Sequence, residues 1–170
     1  MTKLIPIILL LFVVTLLQMS FLPGLMPFGI VPNLAFVIYF CVIFFEDPSR
    51  YQDGLMVTIA AGFFLDVFFS PMFGVAIGSL LAIYALVKVS YHFLNDQQGP
   101  LLFFSFVILF VIGIVAYSAA IEYATGSPII GNSAALLVTV AYNLLAACLG
   151  FYGYQISIRR SQRTKQLKLL

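Results

Sequence analysis

The chain has 170 residues, of which 63% are hydrophobic and 8% are charged. Soluble domains carry about 25% charged residues, so this chain has too few charges to cover a surface in water. Apolar stretches long enough to cross a ~30 Å hydrocarbon core recur along it, which indicates an integral membrane protein. The net charge of +2 is too small to indicate nucleic acid as a partner.

The apolar runs predict an all-α fold, a bundle of six transmembrane helices in one domain over residues 1–158. Leu4–Leu22 is interpreted as a retained first helix, because the run is long and no signal-peptide cleavage site follows it. Glu122–Asn132 is predicted to be a turn region. Polar, Pro-rich or Gly-rich stretches separate the runs, and the predicted spans are about 4–22, 30–45, 54–69, 71–93, 101–121 and 133–158.

The basic residues test this topology. All eight Lys and Arg residues fall at one side of a six-span arrangement, and the loops of the other side contain none. Because cytoplasmic segments carry an excess of Lys and Arg, both termini are predicted to be cytoplasmic. Residues 159–170 form a basic tail that is expected to lie on the anionic lipid surface. The tail residues are Arg159, Arg160, Arg163, Lys165 and Lys168.

Asp66 is an acidic residue inside an apolar run. It lies ~18 Å along the third span from Gly54, at a depth where a carboxylate is costly and is expected to face the bundle interior. One interpretation is a relay for protons or ions, or a hydrogen bond to a substrate. The other is structural, with Asp66 accepting hydrogen bonds from the free N–H groups at the start of the fourth span.

Helix-start signals precede two spans. Ser70 is predicted to be the N-cap of the fourth span, with Pro71 at its first helical position. Pro32 suits the first turn of the second span, where Asn33 is expected to cap the helix or to bond a neighbouring helix.

Small residues follow the fourth span's predicted start. Gly74 and Gly78 form a G-x-x-x-G pattern, and Gly62 lies on the same helical face as Asp66. This spacing allows helices to approach closely, either within the bundle or against a partner helix.

The sequence contains no nucleophile–base pair, phosphate-binding loop, paired carboxylates or metal-ligand cluster, so an enzyme, a cofactor and a metal are not expected. Cys41 and Cys148 lie inside apolar runs and are interpreted as small core residues. The short loops leave no room for a globular site, so function is expected to reside in the intramembrane surface or in a cavity of the bundle.

Two blocks resemble the bacterial rod shape-determining protein MreD family. They are VPNL (Val31–Leu34) and AGFFLDVFFSPMFG (Ala61–Gly74). The family typically shows P-[DN]-L or P-N-W at the first block and G-x-x-L-D-L-x-S-G-x-x-x-G at the second. Pro71 departs from the Gly that often follows the Ser, and Phe68-Phe69 replaces a more usual Leu/Ile pair.

The resemblance implies a non-enzymatic scaffold of the cell-elongation complex in the bacterial inner membrane. It also implies partners: the transmembrane helix of MreC, then MreB, RodA and a class B penicillin-binding protein. The family supplies no catalytic residues, and Pro32, Asn33, Gly62, Asp66 and Gly74 transfer as motif positions only.

Two other readings stay open. One is a substrate-binding subunit similar to the S-components of energy-coupling-factor transporters, whose fold this bundle is expected to share. Those subunits present an Ala-x-x-x-Ala groove on their first helix, whereas here the first span has no Ala, and Ala116 and Ala120 carry the spacing on the fifth. The other is a lipid or proton channel that uses Asp66.

Overall fold

The computed structural model describes residues 4–25, 31–46, 51–69, 72–94, 100–126 and 133–167, and within these ranges all regular structure is helical. The all-α prediction is therefore confirmed for this part of the chain. Seven helices are present there: α1 (Leu4–Ser20), α2 (Leu22–Leu25), α3 (Leu34–Phe44), α4 (Tyr51–Phe69), α5 (Val75–Leu94), α6 (Pro100–Thr125) and α7 (Ser133–Leu167).

Four stretches within these helices are long and apolar enough to cross a membrane, which indicates a membrane protein. They are Leu4–Gly24, Tyr51–Phe69, Leu101–Thr125 and Leu136–Ile156. Two further apolar stretches, Leu34–Phe44 and Val75–Ser90, are shorter.

Helix α3 lies at the centre of the bundle. It packs against α1, α4, α5, α6 and α7, and these five surround it in the order α1, α4, α5, α6, α7, each packed on the next. A helix that is apolar on all sides is suited to burial, and most residues of α3 are buried. Its rings Phe36, Phe40 and Phe44 stack along the helix and meet Phe106 and Phe110 of α6 edge to face.

Two helix starts differ from the prediction. Helix α3 begins at Leu34 with Asn33 as its N-cap, so Pro32 precedes the cap and does not occupy the first turn. Helix α4 begins at Tyr51 rather than Gly54, because the polar residues after position 50 continue the helix beyond the apolar run.

Two helix ends also differ. Helix α6 continues to Thr125, so the prediction of a turn from Glu122 is wrong for its first residues. The helix ends where Gly126 adopts φ +65° and donates its N–H to the Glu122 carbonyl at 2.8 Å, a common glycine stop.

Helix α7 runs past the predicted end at Ile158, since neither Gly nor Pro interrupts residues 158–167. Its 35 residues extend ~52 Å, well beyond a ~30 Å hydrocarbon core. The backbone of the basic tail is therefore helical as far as Leu167, and Lys168 lies outside the described residues.

Candidate functional site

Asp66 holds the turn between α4 and α5. Its side chain is 3% exposed, and the carboxylate accepts three backbone hydrogen bonds. Oδ2 accepts from the N–H groups of Gly74 at 2.9 Å and Ile77 at 3.1 Å, and Oδ1 accepts from Ala76 at 2.7 Å. These N–H groups have no partner within a helix that begins at Val75. The arrangement is the one that the structural interpretation of Asp66 predicts.

The fourth span does not begin at Pro71. Met72, Phe73 and Gly74 form a bend and a turn, and α5 begins at Val75. Gly74 has φ +100°, a conformation that no residue of an α-helix adopts and that glycine reaches without strain. The cap comes from Asp66, eight residues earlier, whereas Ser70 and Pro71 lie outside the described residues.

The predicted small residues have different surroundings. A Cβ atom on Gly62 would lie 2.6 Å from the Ile77 Cα atom, so this glycine permits the close approach of α4 and α5. A Cβ atom on Gly78 would meet nothing within 4 Å, and Gly78 is exposed. Gly62 therefore serves packing within the bundle and Gly78 does not.

Side chains from three segments hold the start of α3. The Asn33 side chain accepts from the Phe36 N–H at 3.0 Å, and the Asn33 N–H donates to Asn143 Oδ1 on α7 at 2.7 Å. The Ala35 N–H donates to Gln18 Oε1 on α1 at 3.3 Å. Asn33 thus both caps its own helix and bonds a neighbouring one, as the sequence predicts. Gln18 and Asn143 thus join α1 and α7 to the start of α3.

A buried ion pair lies at the opposite end of the bundle from Asp66. The Lys88 ammonium is 2.5 Å from Glu46 Oε2, and the Glu46 side chain is 7% exposed. Within the described part of the chain Glu46 Oε1 accepts no hydrogen bond. The Glu46 carboxylate packs directly over Gly54, where any side chain would collide with it. We call this the Glu46 end and the other the Asp66 end.

Sequence reasoning missed this pair, because Glu46 reads as the first residue of a polar loop. A signal was present: Lys88 stands inside an otherwise apolar span, and a charge in such a place requires a partner of opposite sign.

A cavity of about 890 Å³ lies between α1, α3, α4 and α7, and we call it the α1–α7 groove. Its floor is the α3 stripe from Leu34 to Phe45. Ala146, Gly150 and Tyr154 of α7 form one wall, at four-residue spacing. The opposite wall is the apolar side of α1, and Glu46 and Asp53 lie at the Glu46 end. The volume is within the ~300–1,000 Å³ range of small-molecule pockets. The sequence did not reveal it.

The two buried carboxylates are not a catalytic pair. Asp66 and the Glu46 end are separated by most of α4, ~18 Å along the helix from Gly54. No group of three or more His, Cys, Asp and Glu side chains that could hold a metal ion is found among the described residues. What the bundle offers is a capped hairpin at one end, a buried ion pair at the other and an apolar groove between α1 and α7.

Comparisons with known proteins find no protein family, no curated protein and no solved structure that matches this chain.

Proposed function

We propose that this protein is a non-enzymatic membrane scaffold of the bacterial rod complex, which binds the transmembrane helix of MreC and supports lateral peptidoglycan synthesis. Its wider partners are MreB, RodA and a class B penicillin-binding protein. It acts without a cofactor, in the inner membrane and in contact with its lipids.

The observation that carries the proposal is the structural role of the residues in the block Ala61–Gly74. Its Gly62 sets the distance between α4 and α5, its Asp66 caps α5, and its Gly74 makes the turn. The three residues that resemble the MreD pattern thus act together as one hairpin. The Asp66 carboxylate of this block accepts three backbone hydrogen bonds, which supports a structural role for the block over a catalytic one.

We further propose six membrane spans, with both termini and the Glu46 end in the cytoplasm. The shorter apolar stretches Leu34–Phe44 of α3 and Val75–Ser90 of α5 are then membrane-embedded as well. The distribution of Lys and Arg supports this orientation.

The test is co-purification from a mild detergent with tagged MreC. We expect a stable complex that survives size-exclusion chromatography at near-equal amounts of the two proteins. The Asp66→Ala variant, in which the hairpin has lost its cap, is expected to lose the complex. Absence of any complex for the wild-type chain would contradict the proposal.

The α1–α7 groove favours a second candidate, a substrate-binding subunit similar to an S-component. A pocket of about 890 Å³ with apolar walls and acidic groups at one end is suited to a small amphipathic ligand. In that case the purified chain would bind a vitamin-like compound with sub-micromolar affinity in the absence of MreC. Titration of the purified protein with a panel of such compounds distinguishes the two candidates.

A further inference from the structure

We draw no further inference here: the strongest candidate, the apolar groove between α1 and α7, carries none, because nothing in the structure shows what covers it.

Discussion

Three N–H groups at the start of α5 share the Asp66 carboxylate, and three at the start of α3 are shared among Asn33, Asn143 and Gln18. In hydrocarbon no water is present to satisfy these groups, so each helix start requires a polar side chain from elsewhere in the chain. The buried polar side chains Gln18, Asp66 and Asn143 are therefore placed by the needs of helix ends, whereas the hydroxyls of Thr15, Thr58 and Ser118 donate to carbonyls of their own helices. The hydrogen bonds from the start of α5 account for the burial of the Asp66 carboxylate, which has no ion-pair partner among the described residues.

Replacement of Asp66 tests this account. Asp66→Ala leaves three N–H groups without an acceptor, at about 1–3 kcal/mol for each buried group, and is expected to abolish assembly and rod shape. Asp66→Asn should be milder, because its amide oxygen at the Oδ2 position still accepts from Gly74 and Ile77. Thermal unfolding in detergent and complementation of cell shape measure the two effects at matched membrane expression. An Asn variant that is folded and partner-bound but as inactive as Ala would point to a role for the charge.

The Glu46–Lys88 pair shows a limit of reading single residues from the sequence. Glu46 follows an apolar run and Lys88 lies inside one, so their positions in the sequence do not show that they are partners. The structure pairs them through the approach of the α3 end to α5, with Gly54 making room for the carboxylate. Lys88 also lies over the Tyr84 ring, 5.3 Å from its centre. Such a pair depends on which helices are neighbours, and this information is not local in the sequence.

Among the elements, the α4–α5 hairpin is the most closely packed. Its two helices meet at Gly62, where the Ile77 backbone occupies the space of a side chain, and turn at Gly74, where φ is +100°. Gly78 faces outward with free space around it. The three glycines of this hairpin thus differ: Gly62 permits close helix contact, Gly74 allows the turn conformation, and Gly78 does neither.

Alanine substitution of these glycines is expected to separate the roles. Gly62→Ala should destabilise by about 1–3 kcal/mol through overpacking against Ile77. Gly74→Ala should cost about 1–2 kcal/mol because of its positive φ, with no steric clash. Gly78→Ala should be neutral or should stabilise α5 by about 0.5–1 kcal/mol. Thermal unfolding of the isolated chain in one detergent compares the three. A Gly78→Ala variant as unstable as Gly62→Ala would mean that this face packs against another chain.

The helices themselves were largely predictable, and their ends were not. Apolar runs and the Pro and Gly residues between them located the six helices other than the four-residue α2, because a long apolar run is a strong compositional signal. The start of α5 was misplaced, since the N–H groups at its start are capped by Asp66, which lies on the preceding helix. The α1–α7 groove was not predictable, because it results from the absence of packing between two helices that lie far apart in the sequence.

For the whole molecule, one helix that is too short to cross the bilayer alone is enclosed by longer ones. The 11 residues of α3 extend ~16 Å, about half of a ~30 Å core. Its neighbours α1 and α7 bond its first turn through Gln18 and Asn143. The centre of the bundle is thus anchored at the Asp66 end by hydrogen bonds, whereas at the other end Glu46 and Asp53 line the groove.

The orientation of the bundle decides on which side of the membrane the Glu46 end lies. All eight Lys and Arg residues lie at the Glu46 end or in segments predicted to share its side, so we expect that end in the cytoplasm. Single cysteines test it after Cys41 and Cys148 are replaced by alanine. Tyr123→Cys, at a side chain that is 94% exposed beside the end of α6, should react with a membrane-impermeant maleimide in spheroplasts. Gln52→Cys, exposed at the start of α4, should react only after the membrane is permeabilised. The reverse labelling would place the Glu46 end outside the cell and would contradict the proposed orientation.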